Sequence, residues 1–229
     1  MTHKKKVLVV AAHPDDEILG CGGTMALHVD KGDDVYVVFM ADGVASRGDS
    51  KNLLGKINER KQSAIEACAI IGCKHPVFLG FPDNQLDACS ILDITQKLES
   101  VIDEINPEIV YTHHNKDLNV DHQLTHQAVI TACRPQPDNT VSEIYSFEVL
   151  SSTGWNSPTE NNIFIPNTFV EISKTWKKKM DALYCYDDEL RSYPHARSYK
   201  GVKSLAVFRG ISVGLEYAEA FHLIRKLHK

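Results

Sequence analysis

The feature that most constrains this chain is an alternation. Over its first two thirds, short apolar runs rich in β-branched residues take turns with longer stretches at helical spacing. Residues 7–12, Val-Leu-Val-Val-Ala-Ala, predict a strand, and 17–31 a helix stopped by Gly32. A second strand is expected over 35–41, then a polar segment, 42–51, and a helix over 57–71 that ends at Gly72. A short strand over 77–79 leads into the turn Pro82-Asp83-Asn84. A helix over 91–105 has Pro107 just beyond it, a fourth strand covers 109–112, and another helix covers 122–133. The strands are apolar throughout rather than alternating, as in strands buried on both faces, and the helices supply the crossovers that parallel strands need.

The expected fold is therefore α/β and Rossmann-like: a mostly parallel sheet with helices on both faces. After Pro135 the pattern is less regular, with strands over 143–150 and 168–172, a helix over 173–190, and a late strand over 218–224 that closes the sheet. The polar stretch 151–162 has no period and reads as a surface loop or a lid. A chain of 229 residues can bury one core without staples, so residues 1–229 are read as one domain.

Composition removes several classes of function. With 43 % hydrophobic and 24 % charged residues the chain is ordinary globular material. A formal charge of −5 argues against a nucleic-acid partner held by general attraction. The apolar run near the N-terminus is too short for a membrane span. Six irregularly spaced cysteines, with no C-x-x-C pair, read as thiols of a reducing compartment, which places the protein in the cytoplasm. A homo-oligomer is compatible with all of this.

Chemistry concentrates at two points. The first strand runs straight into His13-Pro14-Asp15-Asp16-Glu17. A buried parallel strand delivers such a group to the carboxyl edge of the sheet, where α/β proteins place ligands. His13 and Asp16 can converge on one metal ion across the turn, which leaves Asp15 beside it as a general base for a bound water. Asp15 or Asp16 could instead simply cap the following helix. The fourth strand runs into a loop rich in histidine and aspartate, His113 to His122. His122, opening the next helix, is the best third ligand, and Asp121 beside it can orient an imidazole. His126, one helical turn on, is a weaker ligand candidate.

With these residues the chain resembles the PIG-L/LmbE-like deacetylases. The likeness rests on Ala12-His13-Pro14-Asp15-Asp16-Glu17 and Asp121-His122, with support from Asp42-Gly43, from residues 78–83 and 218–221, and from Pro194-His195-Ala196-Arg197-Ser198. It implies that His13, Asp16 and His122 bind zinc, that Asp15 is the base, and that the substrate is a small N-acetylated sugar such as an N-acetylglucosamine derivative, free, nucleotide-linked or lipid-linked. Fe(II) or Co(II) suits the same ligands. Several members read His-x-Asp-His where this chain has Asn119, and that histidine is associated with the oxyanion. An amide donates a hydrogen bond but carries no charge. His195 is the expected replacement, and Arg47, Asp83, Asn119 and Arg197 are expected substrate contacts. Three other readings compete: a dinucleotide-binding oxidoreductase suggested by Gly20-Cys21-Gly22-Gly23, a deformylase, and a carbohydrate-binding module. The glycines lie too deep in the helix for a phosphate turn and fit close helix packing better.

Overall fold

A computed structural model describes residues 4–44 and 52–228. Seven strands form one sheet in the order β3-β2-β1-β4-β5-β7-β6. β1 (Lys6–Ala11), β2 (Asp34–Ala41), β3 (Val77–Phe81), β4 (Ile109–His113) and β5 (Glu143–Phe147) are parallel to one another. β7 (Ala218–Lys226) runs antiparallel to both β5 and β6 (Thr168–Glu171). The expected mostly parallel α/β sheet is thus what forms.

Strand pleating sorts the core into two layers. Val7, Val9 and Ala11 face one cluster, with Ala64, Ala67 and Ile71 of α2 (Leu53–Ile71) and Ala182 and Leu183 of α5 (Trp176–Leu183). Leu8 and Val10 face the other, with α3 (Ile91–Ile105) and α4 (Val120–Ala132). α3 shows why it settles there: Ile94, Leu98, Ile102 and Ile105 fall on one stripe and are buried. Close packing explains the glycines of α1 (Asp16–Asp30). A Cβ on Gly20 would lie 2.3 Å from Phe147 and one on Gly23 2.8 Å from Ile172. The first strand–helix turn is held by His13 to Asp16, so the dinucleotide reading has no glycine turn to stand on.

The C-terminal third departs from expectation in three places. The helix expected over 173–190 is split, with α5 tightening into a 3-10 segment, Tyr184–Glu189, that turns Tyr186 inward. Residues 199–211, not read as an element, form α6 (Tyr199–Ile211), capped by Ser198 Oγ accepting from Gly201 N. Gly201 and Gly210 lower its intrinsic propensity, but Val202, Ala206 and Gly210 recur every four residues and bury one face. β7 does not close the sheet at an edge; it inserts between β5 and β6. Ala218 to Phe221 are all buried, as an interior strand requires.

Candidate metal centre and its cleft

All five N-terminal strands point their carboxyl ends to one edge, and the turns after β1, β3 and β4 meet there. His13, Asp16 and His122 offer ligand atoms within 4.8 Å of one another, and all three side chains are buried. Asp16 Oδ2 lies 3.3 Å from His13 Nδ1 and 3.2 Å from His122 Nε2. Asp16 Oδ1 and His122 Nε2 have no hydrogen-bond partner although both are buried. Buried polar atoms seldom stay unpaired, so two such atoms converging with a third donor fit a cation between them.

The ligand rings are aimed from behind. His13 Nε2 lies 3.0 Å from Asp121 Oδ2 and 3.2 Å from Asp83 Oδ1, which leaves Nδ1 to face Asp16. His122 Nδ1 lies 3.3 Å from Asp117 Oδ1, which leaves Nε2 forward. Each imidazole therefore has a carboxylate on the nitrogen away from the centre, the arrangement that sets tautomer and ring orientation in metal sites. Asp121, expected to steady a ring, does so for His13. It is itself fixed by Asn84 N at 2.7 Å and Leu86 N at 3.0 Å. Asp117 accepts from Thr153 Oγ1 at 2.5 Å and Ser152 Oγ at 3.1 Å. His113 stacks on His122 with ring centroids 3.9 Å apart, and its Nε2 accepts from Ala12 N, so it braces the ligand as a neutral ring. Burial pushes the His113 ring well below its ordinary pKa. His126 turns away, its Nδ1 bonded to His113 O, and takes no part in the cluster.

Charge in the ligand set is strongly coupled. Burial opposes ionisation of Asp16, but His122, His13 and His113 hold its carboxyl well below the usual range. Burial works against charge on His122 as well, yet Asp16 and Asp117 push its pKa up to about 9. The carboxylates around these rings demand positive charge, which a divalent cation supplies without protons.

Asp15 occupies the N-cap position of α1 but makes no capping bond, so simple capping does not explain it. Its backbone has φ of 123°, a strained choice for a non-glycine residue, and this turn aims the carboxylate into the cleft. Burial pushes its pKa above the ordinary carboxylate range, while Arg197 and Arg60 pull the other way. Arg197 Nη1 donates to Asp15 Oδ2 at 3.0 Å; Oδ1 has no hydrogen-bond partner among the described residues. Below it, Glu17 accepts from Asp15 N at 3.0 Å and from Tyr186 OH at 2.6 Å, and burial pushes its carboxyl up to about 8.

The cleft is open to solvent and is lined by His13, Asp15, Gly43, Arg60, Asp83, Asn84, Asn119, Glu189 and Arg197. Asp83, Asn119 and Arg197 thus stand where substrate contacts were expected. His195 is not brought into the lining: its ring meets Trp155 edge-on at 5.2 Å and its Nδ1 accepts from Arg197 N. Arg47 lies outside the described residues. Ser151 to Thr153, read from sequence as the start of a loop or lid, are buried supports of the site. Arg60, Glu189 and Asp117 were not anticipated. Arg60 pairs with Glu189 and donates to Pro14 O at 3.0 Å. It left a signal, because it occupies the buried stripe of α2 with Ala64, Ala67, Cys68 and Ile71, where a charge needs a purpose. Glu189 left none.

The family described as PIG-L, GlcNAc-PI de-N-acetylase, matches residues 8–133, more than half the chain. A Bacillus cereus protein named "Probable N-acetyl-alpha-D-glucosaminyl L-malate deacetylase 2" is 28 % identical, over 79 % of this chain and 81 % of its own. The 4-oxalmesaconate hydratase of Pseudomonas putida is 31 % identical, over 80 % of this chain and 74 % of its own. Among solved structures, the N,N'-diacetylchitobiose deacetylase of Pyrococcus horikoshii superposes with a TM-score of 0.78 at 21 % identity, covering 96 % of this chain and 84 % of that one.

Proposed function

The chain belongs to the PIG-L de-N-acetylase family, and from that premise we propose that it is a zinc-dependent amidohydrolase removing the N-acetyl group from a small amino-sugar compound. His13, Asp16 and His122 would hold the metal, a donor set of two imidazoles and one carboxylate that zinc favours. When bound there, such an ion polarises the amide carbonyl and acidifies water. Asp15 takes the proton of the attacking water on Oδ1 and returns it to the departing amine. A carboxyl raised by burial suits both tasks. His195, outside the cleft lining, is given no proton to carry.

The observation that carries the reading is the pairing of charges in the cleft. Among the described residues its two lining arginines each face a carboxylate, Arg60 that of Glu189 and Arg197 that of Asp15, and Asp83 adds a further anion. A neutral acetamide fits this balance, and its cationic amine product is matched by the carboxylates. A substrate bearing several carboxylates, as for the hydratase relative, would meet repulsion. Six free cysteines agree with a reducing compartment, and we place the protein in the cytoplasm. Among the described residues, no helix is long and apolar enough to cross a membrane.

The test is a free-amine assay on a panel of N-acetyl and N-formyl amino sugars, with and without chelator, beside a hydration assay on 4-oxalmesaconate. Chelator-sensitive release of a sugar amine is expected. Hydration without any amide cleavage overturns the reading.

A further inference from the structure

Amide hydrolysis puts negative charge on the carbonyl oxygen as water adds, and a donor beside the base lowers that barrier. The cleft offers few. Asn119 is held in place, with Oδ1 accepting from Asp121 N at 2.8 Å as the cap of α4 and Nδ2 giving one of its two N–H groups to Asn84 Oδ1 at 2.9 Å, and as a neutral amide it brings no charge. Asn84 in turn donates through Nδ2 to Asp83. Both ring nitrogens of His13 face carboxylates. Arg60 is taken up by Glu189 and Pro14 O.

Arg197 differs. Its Nε donates to Ser151 Oγ at 2.5 Å and its Nη1 to Asp15 Oδ2 at 3.0 Å. An arginine–carboxylate pair commonly engages both terminal nitrogens. Here one suffices, and Nη2 has no hydrogen-bond partner among the described residues. The Ser151 bond and the Asp15 bond fix the guanidinium plane, so Nη2 is held beside the carboxylate that receives the water proton. The side chain is 23 % exposed, open to a ligand yet partly shielded from bulk water.

We propose that Arg197 is a catalytic residue whose Nη2 donates to the acetyl oxygen as it becomes an oxyanion, while Nη1 holds Asp15 in place. This rests on the amide-hydrolysis reading. Water oxygen bonds to the carbonyl carbon, the π pair moves to the carbonyl oxygen facing Nη2, and the water proton goes to Asp15. The C–N bond then breaks, the oxygen re-forms its double bond, and Asp15 returns the proton to nitrogen, leaving acetic acid and amine; the acid's remaining proton passes to the amine, which gives acetate and the ammonium form. Arg197 transfers no proton, because a guanidinium does not titrate in this range; it contributes a permanent charge beside Asp15.

The test compares the metal-loaded parent with Arg197→Lys and Arg197→Met, after metal content and thermal melting confirm that each is folded and loaded. Two readouts are needed. The first is kcat and KM on the best N-acetyl sugar of the panel. The second is calorimetric affinity for the methylphosphonamidate of glucosamine, a tetrahedral anion, against that for neutral N-acetylglucosamine. Removal of one oxyanion donor costs about 10²–10³-fold in kcat. Arg197→Met should show that loss with KM nearly unchanged, a parallel loss of phosphonamidate affinity, and little change toward the neutral sugar. Arg197→Lys should recover part of both. Loss of kcat with phosphonamidate affinity intact would reduce Arg197 to a positioning residue for Asp15 and overturn the proposal. So would unchanged kcat. A parent that cleaves no acetamide overturns the hydrolysis reading instead, and analogue binding still decides whether Arg197 receives a tetrahedral anion.

Discussion

The N-terminal parallel half and the C-terminal third make different contributions to one cleft. Every group that faces the proposed ion, His13, Asp16 and His122, lies within residues 8–133, the stretch the family match covers. The carboxylates that face those rings, Asp83, Asp117 and Asp121, lie there too, whereas the groups that hold the residues around them come largely from beyond it. Arg197 holds Asp15, Tyr186 holds Glu17, Glu189 pairs with Arg60, and Ser152 and Thr153 hold Asp117. The second region also clamps α1 directly: Lys179 Nζ and the N–H groups of Gly23 and Thr24 all bond Glu219. The proposed ligands and the carboxylates behind them sit on strand ends and the turns that follow, whereas the outer supports are assembled from what the chain brings over the edge. The first is therefore expected to set whether the reaction occurs, and the second how fast and on what.

That division can be broken by substitution. The largest effect should come from Asp16→Asn, which weakens the only carboxylate of the ligand set. Metal content should fall toward zero and activity by roughly 10⁴-fold or more, checked by elemental analysis and turnover. Retained stoichiometric metal would move the centre elsewhere, His13 with Asp83 and Asp121 being the other group of suitable atoms among the described residues. Next comes Asp15→Asn, which should keep the metal and lose about 10²–10⁴-fold in kcat. Near-parent turnover would remove Asp15 from proton transfer. Smaller again is Asp117→Asn, which leaves all ligands in place but weakens the hold on His122 Nδ1. Metal affinity by competitive chelation should drop about 10–100-fold, the usual cost of disturbing a partner behind a ligand. Thr153→Val, acting one bond further out from the C-terminal side, should cost less than Asp117→Asn. An equal or greater loss would show that the C-terminal region controls the metal as firmly as the motif does.

The catalytic grouping was legible because local chemistry forces it. A buried strand followed by His13-Pro14-Asp15-Asp16 can only present those groups at the sheet edge, and His122 at the head of α4 reaches the same edge. The C-terminal elements were read less well because their local signals conflict with their final state. α6 carries two glycines, and the helix expected after residue 173 tightens where Tyr186 and Glu189 are drawn to buried partners.

By itself the sequence determined the mostly parallel sheet and singled out the three residues proposed as ligands, since apolar period and motif spacing act over a few residues. Tertiary structure alone decided which carboxylate aims which imidazole. Asp121 neighbours His122 in the chain yet serves His13, while Asp117 serves His122. It also decided that Arg197 rather than His195 enters the cleft, although only Ala196 separates them. The physical reason is distance along the chain. Asp15 and Arg197 are 182 positions apart, and no local preference can specify a contact that exists only once the sheet edge and the segment crossing it are packed together.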